Sequence, residues 1–213
     1  MFSRRKRIGL GIGLLLLLTL VGVGVYFCVP SLRLPADAKQ LHTLSNLQRV
    51  DAHRYDAEWF DAARAGRVDI LSALHDANYP LNAQTHAGYT ALILAAYDEQ
   101  PDALEYLLQA GADACLGDHN GNTALMGALY KGELAIAQRL LKTSCRIDQT
   151  NNAGETALSF AALFGRLEIL PALIAQGADP NHLDARGDSA LAIAIKQNNP
   201  AAEAALRKLG ATR

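Results

Sequence analysis

The chain of 213 residues is poor in cysteine and in charged side chains, and each scarcity excludes a class of protein. Three cysteines are too few for a fold that is built on disulfides. Charged residues make up 19% of the chain and hydrophobic residues 50%, which is too apolar a composition for a disordered protein. The length predicts one or two globular domains, at about 100–200 residues each.

Basic residues are also scarce outside the N-terminus. Four of the 20 lysines and arginines lie at residues 4–7, which leaves 16 basic against 21 acidic side chains in residues 8–213. A body with this net charge of −5 offers no footprint for a phosphate backbone. We therefore do not expect a nucleic-acid partner.

One long apolar run is present, over residues 8–29. Its 22 residues contain no charge, and at about 1.5 Å per residue a helix of this length spans a bilayer core of roughly 30 Å. The basic residues 4–7 precede the run, so the positive-inside rule places residues 1–7 in the cytoplasm and residues 31–213 outside it. We predict a single-pass transmembrane helix over 8–29, in the inner (cell) membrane, with the remainder of the chain in the periplasm or its extracytoplasmic equivalent.

A cleaved signal peptide is the alternative interpretation of the same run. The apolar region of a signal peptide is about 7–15 residues long and ends near a small-x-small site. This run is longer, and its best cleavage candidate, Ala36 to Ala38, lies beyond Pro30 and Pro35. Both interpretations put the body of the protein outside the cytoplasm.

A repeat of 33 residues dominates the rest of the sequence. Glycine recurs at this spacing at Gly88, Gly121, Gly154 and Gly187, and we number the four units that begin there repeats 1 to 4. Two residues after each glycine stands a hydroxyl side chain, at Thr90, Thr123, Thr156 and Ser189. An Ala-Leu pair follows in every unit. Such constant register over four units is typical of a repeat protein.

The recurring residues suit a pair of helices. The hydroxyl can cap the first helix by accepting a hydrogen bond from its free backbone N–H groups. A second glycine series, at Gly111, Gly177 and Gly210, predicts left-handed caps at the ends of the second helices, with Ser144 replacing one member. Each unit is therefore expected to be a helix-turn-helix.

These residues resemble the ankyrin repeat, which combines a β-turn with two antiparallel helices in 33 residues. The family signature G-x-T-P-L-H-x-A-A is matched by residues 88–96, which read GYTALILAA. Alanine replaces the proline of the motif in all four units, and the histidine is absent, but both positions are structural. The resemblance predicts an all-α solenoid of about five helix-turn-helix repeats with β-hairpin turns.

The predicted organisation has four segments: a basic segment at 1–7, the transmembrane helix at 8–29, a linker or juxtamembrane helix at 30–50, and the repeat domain at 51–213. Within 30–50, apolar residues every three positions fit either a short helix on the first repeat or a juxtamembrane segment. Residues 59–82 have the repeat phase without the hairpin, so we expect an N-terminal cap there.

The resemblance also implies where a partner would bind, because ankyrin repeats bind proteins through their hairpin tips and the concave face of their first helices. In this register the corresponding candidates are His86, Tyr89, Tyr97, Asp98, His119, Asn122, Tyr130, Lys131, Phe164, Arg186 and Lys196. Tyrosine is enriched in binding hot spots, which favours a binding role for Tyr97 and Tyr130. For Phe164, filling a gap between repeats is an equally good interpretation.

The sequence contains no motif that indicates catalysis. It lacks a phosphate-binding loop, a nucleophile elbow and zinc-type spacing of cysteine and histidine. His86 and His119 occupy equivalent positions about 8–10 Å apart, too far to share a metal ion easily. We therefore expect no enzyme activity, no cofactor, no metal and no small-molecule substrate.

Cys115 and Cys145 would lie in an oxidising compartment, so a disulfide must be considered. In the repeat register, Cys145 should stack on Ala112, three residues from Cys115, which predicts Cα atoms more than about 7 Å apart. The expectation is two free thiols.

The leading functional hypothesis is a membrane-tethered module that binds a periplasmic or extracytoplasmic protein as a scaffold or stabiliser. The main alternative is an immunity protein that neutralises a bacterial toxin. An enzyme, or a structural protein that assembles through residues 8–29, is a more remote possibility.

Overall fold

The computed structural model describes residues 52–212, which form ten α-helices and no β-strand. In chain order the helices are α1 (Asp56–Arg64), α2 (Val68–Asp76), α3 (Ala91–Tyr97), α4 (Pro101–Gln109), α5 (Ala124–Lys131), α6 (Leu134–Leu140), α7 (Ala157–Leu163), α8 (Leu170–Ala175), α9 (Ala190–Lys196) and α10 (Pro200–Lys208). Short 3-10 turns precede α1 at Ala52–Tyr55 and α8 at Leu167–Ile169.

The helices form five pairs that stack in two rows. The first helices α1, α3, α5, α7 and α9 pack on one another in sequence, and each also packs on the second helix of its own pair. Alanines at the junctions, such as Ala95, Ala128 and Ala161, are fully buried, so the helices can approach closely. The predicted all-α architecture of about five helix pairs is therefore confirmed.

The hydroxyl side chains cap the first helices as predicted. The Thr90 hydroxyl accepts a hydrogen bond from the Ile93 backbone N–H at 3.2 Å. Equivalent bonds to the third helical residue occur in the other three repeats, at Thr123, Thr156 and Ser189. Each cap satisfies one of the N–H groups that a helix leaves free at its start.

The hairpins that precede the first helices are joined into a ladder. Backbone hydrogen bonds of 2.8–3.1 Å run from the His119 N–H to the Ala87 carbonyl, and onward between the next two pairs of hairpins. Gly88 has a φ of +83°, and a Cβ atom there would lie 2.5 Å from the His119 backbone nitrogen. Only glycine fits both the left-handed turn and the close approach of the neighbouring hairpin.

The second helices of repeats 1, 3 and 4 end in the predicted left-handed glycines. Gly111, Gly177 and Gly210 have φ values between +92° and +97°. In repeat 1 the Ala112 N–H bonds to the Leu107 carbonyl at 2.9 Å, the six-to-one bond of a Schellman motif. In repeat 2, Ser144 replaces the glycine, and no positive φ occurs there.

The prediction of free thiols at Cys115 and Cys145 is wrong. The two cysteines form a disulfide, with their Cα atoms 5.3 Å apart, that joins the loop of repeat 1 to the loop of repeat 2. The prediction assumed that Cys145 keeps the position of Ala112. Because Ser144 does not adopt the left-handed conformation, the loop after α6 follows a different path and brings Cys145 to Cys115.

The pair α1 and α2 packs on repeat 1, mainly through contacts between α1 and α3. Trp59 is fully buried, and its ring centroid lies 4.9 Å from that of Tyr79. The Tyr79 hydroxyl donates a 2.6 Å hydrogen bond to Asp56 Oδ1. Burial, then the hydrogen bond to Asp56 and its negative charge, raise the pKa of Tyr79 well above its ordinary value.

The predicted segments at 1–7, 8–29 and 30–50 lie outside the described residues. Among residues 52–212, no helix has the length and apolar character needed to cross a bilayer.

Candidate functional site

Three of the predicted binding residues come together on the row of first helices. The rings of Tyr97 and Tyr130 stack with centroids 5.7 Å apart and an interplanar angle of 11°. Phe164 meets Tyr130 edge-on at 4.9 Å, and Phe160 lies 5.6 Å from Phe164. We call these four rings the aromatic cluster.

The two tyrosines of this cluster are open to solvent. Tyr97 is 37% exposed and Tyr130 is 45% exposed, and they are two of the four large hydrophobic side chains with this exposure in the described part of the chain. Their 33-residue spacing places them on consecutive first helices, which explains the stacking. Phe164 is half-buried and packs against the core, so it fills a gap between repeats while its ring also contacts Tyr130.

Charged residues flank the cluster at the ends of the first helices. Lys131 Nζ lies 4.8 Å from the centroid of the Tyr97 ring, within the range of a cation–π interaction. Burial raises the pKa of Tyr97, and the neighbouring Tyr130 raises it further. Asp98 follows Tyr97 directly and adds a smaller contribution of the same sign.

A cavity of about 330 Å³ opens beside the aromatic cluster. Tyr89 and Asn122, both predicted binding residues from neighbouring hairpins, line it. Four predicted site residues of repeats 1 and 2 therefore share one surface with Phe164 of repeat 3: Tyr89, Tyr97, Asn122 and Tyr130.

The remaining predicted residues occupy other parts of the hairpin row. His86 and His119 are exposed in consecutive hairpins. Arg186 donates to Asp184 Oδ2 at 2.9 Å and to Glu155 Oε1 at 3.2 Å. Lys196 forms an ion pair with Asp188. The charges of Arg186 and Lys196 are therefore already paired with carboxylates of repeats 3 and 4. A partner gains less from an ion pair with either residue than the sequence suggests.

Asp184 stabilises the repeat 4 hairpin in addition to its ion pair with Arg186. Its Oδ1 accepts from the backbone N–H groups of Arg186 and Asp188, at 2.8 and 2.9 Å. Burial opposes the charge, but these N–H bonds and the Arg186 guanidinium lower the pKa of Asp184. Asp118 and Asn151 accept the equivalent pair of bonds in the two preceding hairpins. Their 33-residue spacing was the sequence signal for this role, which our sequence interpretation missed.

Gly127, Phe160 and Glu155 are further lining residues of the cavity that were not predicted as site residues. Gly127 occupies the interior of α5, where glycine is unfavourable by about 1 kcal/mol relative to alanine. That unusual placement was visible in the repeat register. No group of three or more histidine, cysteine, aspartate or glutamate side chains within residues 52–212 is arranged to hold a metal ion.

Comparison with protein families identifies the repeat. The family model described as ankyrin repeats in three copies matches residues 59–151 and again residues 134–212, together well over half of the chain. The chain belongs to the ankyrin-repeat family. Ankyrin repeats are typically non-catalytic modules that bind other proteins, so the aromatic cluster lies in a protein-binding module.

Two curated proteins share a short segment with this ankyrin-repeat chain. A stretch of 63 residues is 41% identical to the mitochondrial disaggregase of Bos taurus and a stretch of the same length is 40% identical to that of Homo sapiens. Each match covers 30% of this chain and 9% of the relative. The chain therefore corresponds to only a small part of these relatives, and the name disaggregase belongs to those proteins.

Proposed function

We propose that this protein is a membrane-tethered ankyrin-repeat module that binds a protein outside the cytoplasm, as a scaffold or stabiliser of that partner. The stacked, exposed pair of Tyr97 and Tyr130 is the observation that carries the binding part of this proposal. Two adjacent tyrosines offer a large apolar area with polar tips and little side-chain entropy to lose. The edge-on contact with Phe164 holds Tyr130 in place before a partner arrives.

The disulfide supports the proposed compartment. Disulfides persist in oxidising spaces such as the bacterial periplasm and are rare in the cytosol. The bond between Cys115 and Cys145 therefore fits a repeat domain outside the cytoplasm, as the basic residues 4–7 before the apolar run 8–29 also suggest.

Partner capture tests the binding role. The full-length chain, solubilised in detergent, serves as bait for a periplasmic extract, beside the double variant Tyr97→Ala/Tyr130→Ala. We expect one specific partner with the original chain and a loss of about tenfold or more in affinity with the variant, as for a hot-spot pair. Ile195→Ala is the matched control, because it truncates an exposed apolar side chain two repeats from Tyr130.

Two outcomes count against this role: no specific partner, or a partner that binds the double variant and the original chain equally well. The identity of a captured partner separates the stabiliser from the immunity protein, since a toxin would favour the latter. Protease digestion of intact spheroplasts tests the topology. The repeats should be cleaved without lysis, and full protection of the repeats until lysis would refute the extracytoplasmic location.

A further inference from the structure

At Gly127 the row of first helices lacks a side chain that the other repeats have. The equivalent positions in repeats 1, 3 and 4 hold Leu94, Phe160 and Ile193, each between 5% and 9% exposed. A Cβ atom built at Gly127 would have a single neighbour within 4 Å, a ring carbon of Tyr97 at 3.9 Å. The position is therefore open, although three of the four repeats fill it with a large apolar group.

The gap at Gly127 forms part of the cavity of about 330 Å³, which we call the Gly127 pocket. Five aromatic side chains line it: Tyr89, Tyr97, Tyr130, Phe160 and Phe164. Leu163, which is half-buried, adds branched apolar surface, and Met126 lies in the wall of the pocket with only 1% of its surface exposed. This volume is larger than any single amino-acid side chain, so an incoming side chain can enter together with part of its hydration.

The charged groups that line the Gly127 pocket are both acidic. They are Asp118 and Glu155, and no lysine or arginine lines the pocket. Asp118 lies in the hairpin turn, where its Oδ1 accepts from two backbone N–H groups. Glu155 accepts from Asn151 Nδ2 at 2.9 Å.

The nearby guanidinium does not neutralise these acids. Arg186 reaches Glu155 at 3.2 Å, but its shorter contact is with Asp184 at 2.9 Å. Arg186 therefore divides its charge between Glu155 and Asp184, and among residues 52–212 Asp118 forms no ion pair with a lysine or arginine. Even with Lys131 over the Tyr97 ring, the three carboxylates of Asp118, Glu155 and Asp184 outnumber the two cations, so the net charge around the pocket is negative and complements a cation.

The aromatic cluster already holds one cation. Lys131 Nζ lies over the ring of Tyr97 at 4.8 Å, because the quadrupole of an aromatic ring attracts a positive charge to its face. Four further aromatic rings line the pocket, and so do the carboxylates of Asp118 and Glu155. This combination of rings and carboxylates suits a basic side chain better than a neutral one.

We infer that the Gly127 pocket binds a basic side chain of the partner protein, with arginine preferred over lysine. The methylene stem packs against Leu163, while the planar guanidinium stacks on the rings and donates to Glu155. This inference rests on the proposed binding function and names the chemistry of its partner.

Short peptides test the chemistry of the pocket. The probes are acetyl-Gly-X-Gly-amide with X as arginine, lysine, citrulline or norleucine, titrated into the full-length chain in detergent. The chain contains two methionines, of which Met126 lies in the wall of the pocket, so a ¹³C-methyl label gives a reporter there. We expect the Met126 signal to shift with the arginine probe at about tenfold lower concentration than with the neutral citrulline probe.

Gly127→Leu provides the structural test. Leucine fills the pocket as Leu94 fills repeat 1, so the arginine probe should no longer shift Met126. The variant should also unfold at a higher temperature, because leucine is a better helix former than glycine and fills a cavity. Loss of binding together with increased stability cannot come from misfolding. Ala135→Leu, which places the same side chain at an exposed position on α6, should bind the probe normally.

A second variant tests the charge. Glu155→Gln keeps the size of the side chain, and we expect it to weaken binding of the arginine probe three- to tenfold without affecting the norleucine probe. Equal binding of the citrulline or norleucine probe to the original chain would overturn the inference in favour of a purely apolar pocket. Absence of any Met126 shift, or unchanged binding by Gly127→Leu, would overturn it altogether.

The two proposals fail in different ways. A captured partner that is lost on Tyr97→Ala/Tyr130→Ala but still binds Gly127→Leu would uphold the binding function and refute the pocket. Probe binding at Met126 with no captured protein would refute the binding function alone.

Discussion

Repeats 1 and 2 contain the same pair of helices but differ at the positions that give the surface its character. Both begin with a left-handed glycine, a threonine N-cap and a first helix that ends near an exposed tyrosine. Repeat 2 has Gly127 where repeat 1 has Leu94, and Ser144 where repeat 1 has Gly111. The first difference opens the pocket, and the second accompanies the loop path that allows the disulfide.

The comparison teaches that the two kinds of position have different tasks. The glycine and threonine positions that agree between the repeats satisfy backbone groups or allow close packing, and they stabilise each repeat in the same way. Positions that differ create the local features, which are the pocket at Gly127 and the disulfide between Cys115 and Cys145. The predictions below test this division.

The largest expected effect comes from the disulfide between the two repeats. The bond closes a loop with a sequence separation of 30 residues, which in the chain-entropy model contributes about 3–4 kcal/mol. Cys115→Ser/Cys145→Ser should lower the free energy of unfolding by up to this amount in urea denaturation. Reduction of the original chain should reproduce the loss. An unchanged unfolding curve in both cases would show that the bond contributes nothing to stability.

The loss of stability on replacing a hairpin glycine should depend on how closely the neighbouring hairpin approaches it. Gly88→Ala places a Cβ atom 2.5 Å from a backbone nitrogen in addition to the left-handed strain, and we expect a loss of about 2–3 kcal/mol. Gly187→Ala is the matched control, since a Cβ there meets nothing within 4 Å and only the strain of about 1 kcal/mol remains. Thermal unfolding measures both. Equal losses would mean that the contact between hairpins is unimportant.

The threonine caps should contribute equally in the two repeats. Thr90→Ala and Thr123→Ala each remove a hydrogen bond to a buried helix N-terminus, for an expected loss of about 1–2 kcal/mol. Denaturant titrations of the two variants should agree closely. A large difference would contradict the claim that shared positions have the same task.

The smallest effect concerns the turn between the two helices of repeat 1. Glu99 has a φ of +57°, whereas repeat 2 has a glycine, Gly132, at the equivalent position. Glu99→Gly should stabilise the protein by about 0.5–1 kcal/mol, because glycine adopts this conformation without strain but loses more entropy.

The same substitution should change the titration of Glu133. Burial, and then the carboxylate of Glu99, raise the pKa of Glu133. A carboxyl whose pKa is raised by folding destabilises the folded state at neutral pH. This destabilisation disappears below both its folded and its unfolded pKa values. Glu99→Gly should therefore lower the pKa of Glu133 in an NMR titration, and its stabilising effect should be larger at pH 7 than in acid. An unchanged pKa of Glu133 would contradict the effect assigned to the Glu99 carboxylate.

The fold could be predicted from the sequence because each recurring residue satisfies a local requirement. The hydroxyl before Ala-Leu caps the first helix in all four repeats, and a glycine at the end of a second helix permits a left-handed turn. These effects depend on neighbours within a few residues, so 33-residue spacing was sufficient evidence. The family was identified from the same positions.

The disulfide and the pocket depend instead on contacts between repeats. The distance between Cys115 and Cys145 was predicted by assuming that repeat 2 copies repeat 1, and Ser144 breaks that assumption. The pocket results from the absence of a side chain at Gly127, and its effect depends on the rings of Tyr97 and Phe164 in other repeats. The repeat register shows that a side chain is missing at Gly127. Its effect on the surface depends on where residues of other repeats lie in three dimensions. The choice of Tyr97, Tyr130 and Phe164 as partner contacts stays a prediction.

The bond between Cys115 and Cys145 has a mechanical consequence for a chain that is pulled from its C-terminus. Successive hairpins are joined by one backbone hydrogen bond and one or two side-chain hydrogen bonds, so tension can separate repeat 4 and then repeat 3 from the stack. The segment between the cysteines cannot extend, because the covalent bond carries the force past it. With a separation of 30 residues, about 100 Å of chain is withheld from extension, and repeats on the N-terminal side are reached only through this bond. The disulfide thus acts as a stop that limits how far the protein lengthens under load.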